Sequence, residues 1–189
     1  MPLYDGVLMH LIAELDEETF IHCQRVRSLA LSLGEQAGLS PAELQCLGLG
    51  AFLHDIGKKF LPKGILEKRE PLTSKEWEII KLHPVLGYDC ARLIGCGEEV
   101  SRIILEHHLW ADGQGGYPQD LVGSQPCFLA QITTVADVFD AMTSRRPYRA
   151  ALSASTCLAY LEAYAGTKFN PDVVHLLKGQ VRSKLAAIR

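Results

Sequence analysis

The sequence predicts an all-α fold, and three observations support that prediction. Apolar residues recur at helical spacing through most of the chain, helix start and stop signals separate these segments, and neither an alternating strand pattern nor a two-residue hairpin turn is found. The chain has 189 residues, of which 48% are hydrophobic. This length suits one domain with a substantial core and is too short for two. We therefore expect residues 1–189 to form a single compact multi-helix bundle.

The first three predicted helices have ordinary start and stop signals. Asp5 caps a short helix that reaches about residue 15, with apolar residues at helical spacing. The second helix covers about 17–37 and stops at Gly38. Ser40-Pro41, a capping residue followed by an N1 proline, starts the third helix, which ends at His54-Asp55.

The middle of the chain begins with residues 57–72, a segment that we expect to be irregular because of Pro62, Gly64 and Pro71. Thr73 and Glu76 have the spacing of a capping box and open a helix that reaches about residue 82. Proline disfavours helix in the residue before it, so His83-Pro84 marks a boundary and the start of the next helix. A turn over 95–97 separates that helix from another, which ends near His108.

One long loop precedes the last three predicted helices. Residues 109–126 are rich in glycine and proline, and loops of this length in a compact domain are usually functional or disordered. A helix follows over about 128–144, and Pro147 breaks it. Another starts at Ser153 or Ser155 and reaches about residue 165, and Asn170-Pro171 starts the last one.

Composition narrows the classes of function. The formal net charge of −3 argues against a nucleic-acid polymer as the main ligand, because phosphate backbones are bound by basic surfaces. The six scattered cysteines lack a Cys-x-x-Cys pair and are expected to be reduced. Neither a signal peptide nor an apolar run of about 20 residues is found. We expect a cytoplasmic protein without a membrane anchor.

Histidines and carboxylates are concentrated at helix ends or on shared helix faces. The central pair is His54-Asp55, followed by Gly57 and Lys58. The full set of candidate metal ligands is Glu18, His22, His54, Asp55, His83, His107, His108 and Asp137. Imidazole and carboxylate together suit Fe, Mn, Zn or Ni, and ligands on separate helices can hold two metals inside a bundle. Asp55 is the expected bridging carboxylate.

Each candidate also has a structural interpretation. His54 and the pair His107-His108 could be helix C-terminal histidines stabilised by the helix dipole. His83 could be a boundary residue before proline, and Glu18 could lie on a solvated face. Asp137 within an apolar helix is harder to explain without a partner, since buried carboxylates need one. We assign His10 and His175 no role, and Asp140 at most that of orienting a ligand.

The motifs resemble those of the HD-GYP family of the HD phosphohydrolase superfamily. They occur in order from about Glu18 to Asp172 and comprise His22, His54-Asp55, Gly57-Lys58, His83-Pro84 with Gly87, His107-His108, Asp112-Gly113, Gly116-Tyr117-Pro118, Asp137-Val138-Phe139-Asp140-Ala141 and Arg146-Pro147-Tyr148-Arg149. The resemblance implies an HD-type helical bundle with two or three divalent metal ions, most often iron or manganese, with zinc, nickel or magnesium as alternatives.

The implied activity is a bacterial signalling phosphodiesterase that hydrolyses cyclic di-GMP to pGpG or GMP through a metal-bridged hydroxide. The candidate ligands match the metal-binding positions of the family, Glu18 matching the extra carboxylate of its three-metal members. Asp55 and Lys58 match catalytic positions. Tyr117, Arg146 and Arg149 match positions that line the nucleotide pocket.

The sequence departs from the family pattern in the substrate loop. Leu109 and Trp110 stand where Glu and Arg are usual, and an extra glycine, Gly115 or Gly116, precedes Tyr117. Three alternatives therefore stay open: hydrolysis of another nucleotide or phosphoester, a catalytically weak module that binds cyclic dinucleotides and signals to a protein partner through the 109–126 loop, and a helical protein with structural metals.

Overall fold

The computed structural model describes residues 6, 10–13, 15–145 and 150–186. These residues form helices without a sheet, which confirms the predicted all-α class; the β-type pairing among them is confined to two isolated bridges, Leu109 with Gly116 and Ala165 with Phe169. The helices are α1 Glu17–Gln36, α2 Pro41–Leu53, α3 Lys63–Leu66, α4 Ser74–Ile80, α5 His83–Leu93, α6 Glu98–Glu106, α7 Phe128–Thr143, α8 Ala154–Ala163 and α9 Pro171–Ala186. The predicted helix after Asp5 lies partly outside the described residues; residues 10–13 are helical.

Capping residues fix the helix starts as the sequence predicts. Ser40 accepts a hydrogen bond from the Glu43 backbone N–H, and the Glu43 carboxylate accepts one from the Ser40 N–H. Thr73 and Glu76 form the same reciprocal capping box at the start of α4. Each pair satisfies two backbone donors that a helix N-terminus would otherwise leave unpaired.

The prediction that 57–72 is irregular is wrong for its first part. A 3₁₀ helix covers Ile56–Phe60, directly after the turn at His54 and Asp55, and α3 follows it. Pro62 stands at the N-cap of α3, a place where its fixed φ and missing N–H cost nothing. A second 3₁₀ turn, Gln119–Leu121, lies inside the predicted loop 109–126. Such short turns have no apolar periodicity to reveal them.

The core consists of two apolar clusters, and α2 contributes to both. The larger cluster joins α1, α2, α7, α8 and α9; its fully buried side chains include Val26, Leu33, Leu47, Ile132, Val135, Leu161 and Leu177. The smaller one joins the end of α2 to the 3₁₀ helix, α5 and α6; it contains Leu53, Ile56, Ala91, Val100 and Ile104. The helices that carry His22 and Asp137 therefore belong to one cluster. The helix that begins at His83 and the helix that ends just before His107 belong to the other.

No helix in the described part of the chain combines the length and the apolar character needed to cross a lipid bilayer.

Candidate metal centre

The candidate ligands come from helices of both apolar clusters. His54 and Asp55 follow α2, His83 begins α5, and His107 and His108 follow α6. His22 and Asp137 come from the interiors of α1 and α7. His22, His54, Asp55, His83 and His107 are each at most 5% exposed. The structure thus brings seven of the eight predicted ligands together from distant parts of the chain.

Three of the histidines are oriented by their own backbone. Nδ1 of His54, His83 and His107 lies 2.8 Å from the carbonyl oxygen three residues earlier, at Ala51, Ile80 and Ile104 respectively. A carbonyl oxygen only accepts, so Nδ1 of each ring carries the hydrogen and donates it. In the neutral ring, Nε2 then holds a lone pair that faces the interior, as a metal ligand requires.

His83, His107 and His108 form the first group of potential ligands. The Nε2 atoms of His83 and His107 lie 3.3 Å apart. In the tautomers just assigned, neither Nε2 has a hydrogen to donate, so this contact sets two lone pairs against each other. A cation between them would remove the conflict, since two ligands at about 2.1 Å from one metal ion stand about 3.0 to 3.4 Å apart.

His22, His54 and Asp55 form the second group. Asp137 adjoins it, with Oδ1 3.1 Å from Nε2 of His22 and 3.8 Å from Nε2 of His54. Both Nε2 atoms are buried and have no hydrogen-bond partner of proper geometry among the described residues, although Asp137 is close to one of them. Buried polar atoms without partners are costly. The donor set therefore fits a cation.

The Asp55 carboxylate lies between the two groups. Its Oδ1 is 3.3 Å from Nε2 of His83, in the first group. Its Oδ2 is 3.4 Å from Nε2 of His54, in the second group, and 2.6 Å from Nζ of Lys58. One oxygen faces each group, which is the arrangement expected of a carboxylate that bridges two metal ions.

The electrostatics differ between the groups. Burial opposes protonation of His22, but the neighbouring Asp137 and Asp140 carboxylates outweigh it and raise the pKa of this histidine. Burial is likewise outweighed at His54, where Asp55 raises the pKa well above the usual value. Burial lowers the pKa of His83 to about 4 and, with the neighbouring His83, that of His108 to about 3. The carboxylate side of the site therefore attracts positive charge, whereas the three-histidine side offers neutral nitrogen ligands.

Opposing effects also act on the Asp55 and Asp137 carboxylates. Burial by itself would raise their pKa values, but Lys58 and His54 hold the pKa of Asp55 well below its usual range. His22 and His54 do the same for Asp137. Both carboxylates are consequently ionised at neutral pH, which metal ligation requires.

Tyr117 covers the three-histidine group. Its ring stacks on His108 with centroids 4.4 Å apart, and its backbone N–H donates to the His108 carbonyl oxygen at 3.2 Å. Gly116 makes this possible: its φ is +92°, and a Cβ there would collide with that same carbonyl. Burial raises the pKa of the Tyr117 hydroxyl, so this group stays protonated.

The glycine-rich loop is held by the segment between α8 and α9. The N–H groups of Ala111 and Asp112 donate to the carbonyl oxygens of Lys168 and Thr167, between α8 and α9. The Lys168 ammonium lies over the rings of Trp110 and Tyr164. Trp110, one of the residues that departs from the family pattern, therefore anchors the loop through a cation–π contact.

Glu18 is exposed one turn before His22 and belongs to neither group, so its role as a ligand stays a prediction. Arg146 and Arg149 lie outside the described residues. His10 and His175 are exposed.

Sequence reasoning missed Arg25, whose guanidinium binds the Asp140 carboxylate beside His22. Its position three residues after His22, on the same helix face, was the available signal.

Comparison with known proteins places this geometry in a family context. Residues 6–173 match the family model described as HD domain. The chain is 39% identical over 173 residues to the cyclic di-GMP phosphodiesterase response regulator RpfG of Xanthomonas campestris pv. campestris; the match covers 88% of this chain and 45% of that protein. It is 32% identical over 157 residues to the 3'3'-cGAMP-specific phosphodiesterase 3 of Vibrio cholerae, covering 83% of this chain and 34% of the relative.

Among solved structures, the fold is similar to that of Bd1817, a HDG"Y"P protein from Bdellovibrio bacteriovorus. The TM-score is 0.70 and the sequences are 21% identical; the similarity covers 87% of this chain and 52% of Bd1817. This likeness concerns the fold. The chain spans less than half the length of the curated relatives it matches. The family model and these relatives confirm the family resemblance that its motifs indicated.

Proposed function

Because the chain belongs to the HD domain family, we propose that it is a metal-dependent phosphodiesterase that hydrolyses cyclic di-GMP to pGpG and GMP. One observation carries the proposal: the Asp55 carboxylate turns one oxygen to each of two groups of buried ligands. A site for two adjacent cations suits phosphoester hydrolysis, because in-line displacement at phosphorus has negative charge at both the attacking and the leaving oxygen.

The proposed ligand assignment follows the two groups. His83, His107 and His108 would hold one cation, His22, His54 and Asp137 would hold the other, and Asp55 would serve both. When bound, such cations supply Lewis acidity, which lowers the pKa of water and neutralises charge on the phosphate. The mixture of imidazole and carboxylate favours iron or manganese over metals that prefer thiolate. Glu18 is the proposed carboxylate of a third position.

Lys58 is the proposed electrostatic catalyst. Its ammonium contacts Asp55 and its side chain is 30% exposed, so it stands between the buried carboxylate and the solvent from which substrate arrives. A point charge in that position can attract a nonbridging phosphate oxygen and stabilise the charge that develops there.

Tyr117, Arg146 and Arg149 are the proposed nucleotide-binding residues. The aromatic ring of Tyr117, fixed on His108, offers a surface for a purine base. The two arginines would bind phosphate oxygens or guanine edges through their paired N–H groups. The substrate assignment is supported by the relative named as a cyclic di-GMP phosphodiesterase, at 39% identity.

A second substrate, 3'3'-cGAMP, is supported by one specific observation. A relative at 32% identity is named as specific for it. The loop that carries Tyr117 is the part of this chain that departs from the family motifs, at Leu109, Trp110 and the added glycine. Because that loop covers the ligand group, its altered shape would act directly on base selection.

A substrate panel tests the proposal. The chain, loaded anaerobically with Mn²⁺ or Fe²⁺, is incubated with cyclic di-GMP, 3'3'-cGAMP, cyclic di-AMP, linear pGpG and mononucleotides, and products are separated by chromatography. Preferential conversion of cyclic di-GMP to pGpG supports the proposal. Preference for 3'3'-cGAMP or another phosphoester would show that the proposed substrate is wrong and identify a different one. Tight binding of cyclic di-GMP without product would contradict an enzymatic function. It would favour a signalling module that contacts a protein partner through the 109–126 loop.

A further inference from the structure

Four of the histidines make a hydrogen bond through Nδ1, but the acceptor differs among them. His54, His83 and His107 stand at helix ends and donate Nδ1–H to the carbonyl three residues back. His22 lies inside α1, where backbone carbonyls are engaged in the helix. Its Nδ1 instead donates to Oδ2 of Asp140 at 2.7 Å, across 118 residues of sequence. The orientation of this ring therefore depends on a side chain from another helix.

Asp140 is itself fixed by α1. The Nε and Nη2 atoms of Arg25 donate to its two oxygens at 2.6 and 3.0 Å, and Ser144 Oγ donates to Oδ1 at 3.1 Å. His22 and Arg25 are three residues apart on α1, and Asp137 and Asp140 are three apart on α7, so each pair shares one helix face. The contacts from Arg25 to Asp140 and on to His22 thus pin together the two helices that supply His22 and Asp137.

We propose that Arg25 is a positioning residue for the cation held by His22, His54 and Asp137, acting through Asp140 on the His22 ring. The cation held by His83, His107 and His108 is independent of it, because two of those rings are set by their own backbone and the third by stacking on Tyr117. The inference rests on the metal centre of the proposed function and not on its substrate.

The exposure of Arg25 indicates that it positions the metal ligands more than it stabilises the fold. Its side chain is 45% exposed, so the ion pair contributes little to folding stability. Asp140 is only 8% exposed, however, and a planar guanidinium that binds both oxygens fixes the plane of the carboxylate. Loss of Arg25 should therefore lower metal affinity much more than it lowers the free energy of unfolding.

The chain offers a closely matched control. Arg102 binds Glu106 on α6; that arginine is also 45% exposed and its carboxylate is 11% exposed. Glu106 accepts a hydrogen bond from the Cys127 backbone N–H just before α7, and among the described residues no hydrogen bond or ion pair joins its carboxylate to a ligand ring. Arg102→Ala thus removes an equivalent ion pair without touching a histidine.

Titration of the metal-free chain with Mn²⁺ alone, followed by electron paramagnetic resonance, tests the proposal. In Arg25→Ala, and in Asp140→Asn, which keeps the shape of the side chain, we expect one of two ions to bind about 10- to 100-fold more weakly. The other ion should stay within about twofold of wild type, and Arg102→Ala should change neither. Equal weakening of both ions, or of neither, would overturn the proposal.

A double-mutant cycle identifies which ion is affected. Arg25→Ala should add no further loss of affinity in a His22→Ala background, where Asp140 has no ring left to orient. It should keep its full effect in a His108→Ala background. The reverse pattern would show that Arg25 acts by another route. The metal titration uses no nucleotide. Failure of the chain to hydrolyse any cyclic dinucleotide would therefore refute the proposed function without affecting the result for Arg25.

Discussion

Alanine at Gly57 is expected to separate the two groups of ligands. Gly57 lies in the 3₁₀ helix that follows Asp55 and crosses the start of α5. A Cβ at this position would lie 1.9 Å from the His83 carbonyl oxygen and 2.6 Å from the Gly87 nitrogen. Relaxed carbon–oxygen contacts begin at about 3.3 Å, so the two backbones would have to separate by about 1.4 Å.

Separation of that size acts directly on the site. His83 Nε2 lies 3.3 Å from both Asp55 Oδ1 and His107 Nε2. It would move together with the His83 backbone that the added Cβ displaces. Misplacement of catalytic groups by about 1 Å costs on the order of 100-fold in rate. Overpacking of this kind also destabilises a protein by about 1–3 kcal/mol. In a domain of this size that corresponds to a fall in Tm of about 2 to 12 °C.

Three measurements on Gly57→Ala check this reasoning: thermal unfolding by circular dichroism, metal content by mass spectrometry, and turnover of cyclic di-GMP. Gly64→Ala is the control, because Gly64 is exposed in α3 and a Cβ there meets nothing within 4 Å. This control should keep its activity and gain about 0.4–1 kcal/mol of stability. If Gly57→Ala has wild-type metal content and turnover, the site does not depend on the close crossing, and the reasoning is refuted.

Further substitutions test single residues. Asp55→Ala should abolish both metal loading and hydrolysis, because its oxygens face both ligand groups; full metal content would contradict the bridging role. Lys58→Met should keep the metals and lower kcat by about 10²–10³-fold, and an unchanged kcat would exclude Lys58 from catalysis. His83→Asn should flatten the pH dependence of unfolding in metal-free protein. The folded-state pKa of His83, about 4, lies below the unfolded value of 6.5. The unfolded chain therefore binds the proton first, and wild type should lose about 2 kcal/mol more than the variant between pH 7 and 5 in chemical denaturation. Equal slopes for both proteins would contradict this assignment.

Local features of the fold could be predicted from the sequence. The capping pairs at Ser40 and Thr73 lie within four residues, so the chemistry that starts each helix is visible without tertiary structure. The 3₁₀ helix Ile56–Phe60 was not predicted, because five residues are too few for a periodic pattern and the close approach of Gly57 to α5 exists only in the folded chain.

The residue types at the candidate site could be predicted from the sequence, whereas the orientation of their side chains could not. Histidines at helix ends and an acidic residue in an apolar helix identified the candidate ligands. Which nitrogen of His54 or His83 faces inward depends on a carbonyl that only the folded turn presents. The contact between His22 and Asp140 joins residues 118 apart and depends on how α1 packs against α7, which no local pattern encodes.

An element-specific metal count on anaerobically purified protein tests the central claim most directly. We expect at least two divalent cations per chain, since two groups of buried ligands share Asp55. A single cation, or none that survives desalting, would contradict the claim that this carboxylate joins a pair of metal ions.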